Sequence, residues 1–136
     1  MKRYCEYTVC CAIRTGDKLY LSERINTAEF HGYWQFAGGE LEKNENPRDG
    51  AKRELLEETA LDIDIGRFFY VTSILNDPST KVCYVYYVDL GEAEYPMRTE
   101  NKSSDWQLLS YDDALKLHLM PGLAEAIHIL RKIAPR

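Results

Sequence analysis

Residues 7–14, YTVCCAIR, are apolar almost without interruption and read as a mostly buried strand. The polar step TGDK follows, with Gly16-Asp17 placed to make a hairpin turn, and LYLSER is the return strand. INTAEFHGYW has no clear period and reads as a loop; QFAGGE then carries a short strand into a pair of glycines. At Asn46-Pro47 the pattern changes to a helix, with Asn46 as N-cap, Pro47 in the first turn and Asp49 near the positive end. That helix should end near Thr59. Beyond it, residues 62–75 read as a strand with a possible break at Gly66, NDPS as a turn, and TKVCYVYYVDL as a long strand of β-branched and aromatic residues. A polar loop, GEAEYPMRTENKSS, leads to a short strand, DWQLLS. Two helices close the chain, YDDALKL and PGLAEAIHILRKI. In the second, Leu123, Ala126, Ile127, Leu130 and Ile133 share one face. The order of strands, helix, strands and helices implies an α/β class, a mixed β-sheet sandwiched between α-helices.

The helix that begins at Pro47 also poses a chemical question. Glu54, Glu57 and Glu58 fall on one face at 100° per residue, with Gly50 beside them, while Leu55 and Leu56 point elsewhere and should anchor the helix. Like charges three and four apart destabilise a helix by roughly 0.2–0.5 kcal/mol per pair. A carboxylate cluster on a rigid helix is a hard-oxygen site suited to Mg²⁺ or Mn²⁺, whose charge would relieve that repulsion. Gly38 and Gly39 should let the backbone turn tightly and approach a phosphate or the helix. Arg53 can fork onto a carboxylate and hold the preceding loop against the helix.

Length, charge and cysteines narrow the class. The 136 residues suit one compact domain spanning 1–136, and the apolar and charged fractions, 45% and 29%, are those of a soluble globular fold. No apolar run approaches the ~18 residues of a membrane span, and no signal-peptide segment is expected at the N-terminus. Cys5, Cys10, Cys11 and Cys83 form no CxxC pair and read as packed thiols of a reducing, cytoplasmic compartment, Cys10 and Cys11 pointing to opposite sheet faces. A net charge of −5 argues against a surface for duplex DNA. It does not exclude a small anionic substrate whose charge a bound cation offsets.

The spacing of Gly39, Glu45, Arg53, Glu54, Glu57 and Glu58, with Leu55 and Leu61 at apolar positions, resembles the Nudix box, G-x5-E-x7-R-E-U-x-E-E-x-G-U. The chain resembles a MutT-like Nudix hydrolase. Two positions depart from the pattern: Ala60 stands where the box ends in glycine, and Ala37 where a proline commonly precedes the glycine pair. The resemblance implies the Nudix fold and hydrolysis of a nucleoside diphosphate linked to some group X, with Mg²⁺ as cofactor and Mn²⁺ as substitute. It implies Glu57 and Glu58 as primary metal ligands, with Glu54 and the Gly39 carbonyl completing the shell. Glu54 is also the candidate general base, and Arg53 and Glu45 support the site. A further acid often precedes the strand that carries a Trp, and Glu100, six residues before Trp106, is similarly placed. Arg24 is the candidate phosphate contact. Thr8, Phe36 and the segment 118–122, with Met120, are the candidates for base recognition.

The implied reaction is conversion of a nucleoside triphosphate, oxidised or otherwise modified bases included, to a monophosphate and pyrophosphate by a monomer or homodimer. Dinucleoside polyphosphates, nucleotide sugars and RNA caps are the alternative substrates, GYWQF having some resemblance to cap- and dinucleotide-cleaving members. The alternative of another class is a non-catalytic nucleotide sensor on the same scaffold.

Overall fold

The computed structural model describes residues 4–76 and 78–135. Ten elements follow one another: β1 (Tyr4–Thr15), β2 (Lys18–Glu23), β3 (Trp34–Gln35), β4 (Ala37–Glu40), α1 (Pro47–Thr59), β5 (Phe68–Asn76), β6 (Ser79–Asp89), β7 (Gln107–Ser110), α2 (Tyr111–Leu115) and α3 (Leu123–Arg131). The described strands make a mixed sheet with β1 at its centre. One edge of β1 runs parallel to β6 from Tyr4↔Ser79 to Arg14↔Asp89, and β5 pairs antiparallel beyond β6.

The other edge of β1 is shared by two strands. β2 pairs with its end, from Ile13↔Tyr20 to Thr15↔Lys18, carries β7 along its other edge, and then leaves to pair with β3. The edge it vacates is taken by β4, from Thr8↔Glu40 to Cys11↔Ala37. The sheet therefore forks where β2 and β4 part, and both candidate cavities described below open there.

Alternation along β1 divides the core in two. Cys10 and Ala12 join Leu19, Leu21 and Val85 under α2 and α3. Val9, Cys11 and Ile13 face Ala51 and Leu55 of α1. The layering is the expected helix, mixed sheet, helix. Arg14, wholly buried at the end of β1, ties the layers together. It donates from Nε to Asp89 Oδ1 at 2.6 Å and from Nη2 to Asp89 Oδ2 at 3.0 Å. It also donates to the carbonyls of Leu130, Ile133 and Ala134 at the end of α3, at 3.1, 2.6 and 3.3 Å. A cation there complements the negative helix end.

Several boundaries differ from the sequence reading. The expected strand over 62–75 begins only at Phe68. Leu61 and Ile65 are buried towards α1 while Asp62 and Asp64 face solvent, so the alternation is real, but the segment lies in no strand. Arg48 satisfies carbonyls there, donating to Ile65 at 2.7 Å and Gly66 at 3.0 Å. The NDPS turn includes Asp77, which lies outside the described residues. The last helix starts at Leu123, after Gly122 at φ 86°, and stops at Arg131, though Ile133 still packs on the core. Leu56 does not anchor α1. It is 45% exposed, whereas Leu55 is fully buried, because only one of two consecutive helical positions can face the sheet. Cys5 is exposed and Cys10 and Cys11 are buried on opposite faces. Among the described residues, no helix is long and apolar enough to cross a membrane.

Candidate active site

α1 begins and ends as its sequence dictates. Asn46 Oδ1 accepts from the Asp49 amide at 2.9 Å, and Pro47 occupies the first turn, where its missing N–H costs nothing. At the far end Ala60 is left-handed, φ 63° and ψ 14°, and its amide donates to the Leu56 carbonyl at 2.9 Å. Between these caps the acids face β4.

Arg53 organises them. Its Nε and Nη2 donate to Glu45 Oε2 and Oε1 at 2.8 and 2.9 Å, a bidentate fork. Nη2 also reaches the Glu40 carbonyl at 3.0 Å, and Nη1 reaches Glu54 Oε1 at 2.8 Å and Glu57 Oε2 at 3.2 Å. One guanidinium thus joins the loop before the helix, the end of β4 and two of the acids. Glu58 turns the other way, and its Oε1 accepts from the Gly38 amide at 2.7 Å.

The glycine pair lies inside β4, not in a tight turn, and neither residue has positive φ. What Gly39 supplies is proximity: a Cβ there would meet the Glu54 carboxylate at 2.6–2.8 Å. Ala37 sits in the same strand opposite Cys11, so the missing proline loosens no turn.

Glu100 arrives from far along the chain. The loop after β6 lies along the end of α1, where the Met97 amide donates to the Thr59 carbonyl at 2.9 Å and Thr99 Oγ1 to the Glu57 carbonyl at 2.6 Å. These two bonds bring Glu100 to a polar cavity of ≈ 250 Å³ lined also by Glu54, Glu57, Glu58, Gly38 and Ser103.

Charge is concentrated there. Burial pushes Glu58 up to about 9, with the charges of Glu54 and Glu100 adding to the rise and the Gly38 amide opposing it. Burial also raises Glu54, against the pull of Arg53. Glu45 goes the other way, to about 2, because Arg53 hydrogen-bonds its anion and the Glu42 amide adds a second bond. The four carboxylates offer only oxygen donors, which fits a hard divalent cation, and Arg24 and Lys102 line the same cavity. Glu54 and Glu58 are close enough to share a hydrogen bond, but among the described residues no three acidic, His or Cys side chains already converge on one point.

A second cavity, of ≈ 270 Å³, adjoins the first, and Arg24, Gln35 and Gly38 line both. Thr8, Phe36 and Met120, expected to contact a base, all line this second cavity. Phe36 is only 2% exposed and serves the core as well. Arg24, at the border, donates from Nε to the Glu29 carbonyl at 3.2 Å and from Nη1 to Gln35 Oε1 at 3.1 Å. His118 lies outside the lining and packs on the Tyr33 ring at 3.8 Å between centroids.

The sequence reading missed Gln35, Glu29, Lys81 and Cys83 in this lining. Alternation offered a partial signal. Lys81 and Cys83 share one face of β6, and their β5 partners Ile74 and Thr72 line the cavity too. Nothing local marked Gln35 or Glu29.

The NUDIX domain family model matches residues 6–130, and the chain belongs to this family. It is a Nudix hydrolase of the MutT-like kind. The CTP pyrophosphohydrolase of Escherichia coli (strain K12) is 28% identical over 131 residues, covering 93% of this chain and 94% of that protein. The 8-oxo-dGTP diphosphatase of Proteus vulgaris is 36% identical over 47 residues, 35% of this chain and 42% of the other. The solved MutT Nudix hydrolase of Burkholderia pseudomallei superposes with a TM-score of 0.79 at 21% identity, over 93% of this chain and 98% of that one, and so shares the fold. Nudix hydrolases generally use divalent metal ions.

Proposed function

We propose that this chain, as one Nudix domain, is a nucleoside triphosphate pyrophosphohydrolase that converts its substrate and water to a nucleoside monophosphate and pyrophosphate. The observation that carries the reading is the joining of an apolar-walled cavity to an acidic one at Arg24, Gln35 and Gly38. A base fits the first and a phosphate chain the second. The relatives named for CTP and 8-oxo-dGTP hydrolysis support the same chemistry.

In this reading Glu57, Glu58, Glu54 and the Gly39 carbonyl would hold Mg²⁺, with Mn²⁺ as substitute, and Glu100 would add a further carboxylate. Bound there, the cation supplies charge neutralisation of the phosphates and a lowered pKa for water. Glu54, raised by burial and held by Arg53, is the general base that takes the proton of the attacking water. Arg53 and Glu45 position that carboxylate. Arg24 contacts phosphate, and Thr8, Phe36 and Met120 hold the base. Arg24 and Lys102 line this pocket beside the carboxylates, and a bound cation would add to the positive charge facing the phosphates.

The test is turnover of a panel of triphosphates, dinucleotides and nucleotide sugars with Mg²⁺, with the products identified. Monophosphate and pyrophosphate are expected, EDTA stops the reaction, and Mg²⁺ restores it. Glu57→Gln and Glu58→Gln should each lower turnover by more than about 10²-fold with the circular dichroism unchanged. Undiminished activity in metal-free buffer, or in both variants, would refute the reading.

A further inference from the structure

At the base end of the cavity stands an ion pair that neither the motif nor the reaction requires. Lys81 Nζ lies 3.1 Å from Glu29 Oε1, and both residues line the cavity wall. They come from distant places, Lys81 from β6 and Glu29 from the loop between β2 and β3.

The strand registers place the pair. Gly38, at the border with the acidic cavity, lies opposite Cys10, whereas Lys81 lies opposite Glu6. Along β1 these two levels are four strand positions apart, about 13 Å at roughly 3.3 Å each, and Gly38 and Lys81 stand on opposite edges of that strand. Both residues line the apolar-walled cavity and neither lines the acidic one, so the pair stands on the base side of Arg24. Its loop is held over the cavity by the bond from Arg24 to the Glu29 carbonyl and by left-handed backbone at Asn26, Phe30 and Gly32, with φ of 52°, 54° and 84°. The side chain of Lys81 is 24% exposed and that of Glu29 57%, so the pair adds little to stability.

We infer that Glu29 and Lys81 determine base specificity, selecting a nucleobase with an exocyclic amine beside a carbonyl or ring-nitrogen acceptor. The inference deepens the proposed function and rests on it. An ammonium has three donors and a carboxylate about four acceptor positions, and their mutual bond uses one of each. The pair presents a donor beside an acceptor, the complement of the amine and N3 of cytosine, the amine and N1 of adenine, or, with the intervening N1–H also facing Glu29, the amine and O6 of guanine. Uracil puts a carbonyl where cytosine has its amine, facing Glu29 with like partial charge. Hypoxanthine lacks the guanine amine. A site built to bond an amine rejects the analogue without it because its own polar group is then left without a partner.

The test is calorimetric binding of two pairs of monophosphates, cytidine against uridine and guanosine against inosine, near neutral pH to the intact protein and to Glu29→Ala and Lys81→Met. These ligands need no turnover, so the result stands apart from that of the triphosphate assay. In the unaltered protein at least one amine-bearing member should bind more than about fivefold tighter than its analogue. Glu29→Ala should reduce that preference to less than about twofold by weakening the amine-bearing member, and Lys81→Met should reduce it as well. Equal binding within both pairs, a preference that survives Glu29→Ala, or no binding of any of the four at millimolar concentration would each overturn the inference. Triphosphate turnover alone then decides the proposed function.

Discussion

Ala60 carries a left-handed backbone, φ 63°, on a residue whose Cβ resists it. For an L-residue that conformation costs roughly 1–2 kcal/mol, and glycine removes the cost. Ala60→Gly should stabilise the protein by up to about 1 kcal/mol, because glycine's greater freedom in the unfolded chain offsets part of the gain. Urea unfolding of both forms measures it, and the order of preference among substrates should not change. A loss of stability would show that bonds around the cap outweigh the strain. The position was legible in the sequence because the box ends there in a glycine. The neighbouring Glu58 was legible as an acid but not as a buried one, since its burial depends on β4 and the Glu100 loop closing over it.

Helix α1 and strand β4 approach most tightly at Gly39, and that contact sets where Glu54 stands. Gly39→Ala would place a methyl group 2.6 Å from Glu54 Oε1. The obstructing atoms are the far end of a flexible side chain, so the stability cost should be about 1 kcal/mol, the low end for overpacking. Turnover should suffer more, by about 10²-fold, because the carboxylate must swing away from its bond to Arg53. Comparing the urea midpoint with the rate separates the two effects; a large stability loss with an unchanged rate would show that the helix moves as a body. The helix was readable in full from local signals. The strand was not, because two glycines together resemble a turn, and only pairing with Thr8–Cys11 territory on β1 extends them.

At the scale of the molecule, Arg14 joins β1, β6 and α3 through Asp89 and three carbonyls. Arg14→Met keeps much of the apolar stem but removes the charge, the fork onto Asp89 and the donors to the end of α3. Stability should fall by about 3–5 kcal/mol, the range for breaking a buried ion pair by removing one partner. Denaturant unfolding checks this, and a loss below about 1 kcal/mol would mean that water replaces the guanidinium there. The sequence shows Arg14 only as the polar end of an apolar run. Its partners lie 75 to 120 positions away.

The sequence by itself determined the parts whose physics is local. Asn46 and Pro47 set the start of α1, the residue at 60 sets its end, and 100° per residue gathers Glu54, Glu57 and Glu58 on one side. Alternation in β1 likewise assigns Cys10 and Cys11 to opposite cores. Tertiary structure decided what depends on register and on distant chain. It chose Leu55 over Leu56 for burial and left residues 60–67 outside the sheet despite their alternation. It opened the fork between β2 and β4 and brought Glu100 onto α1 through Met97 and Thr99. It also set Glu29 against Lys81 across 52 positions of sequence. Caps and helical faces are decided within a few residues, where the interacting groups are already neighbours. Pairing between strands, and the loops laid over them, is decided by which distant surfaces can be buried together, and no short stretch of sequence contains that information.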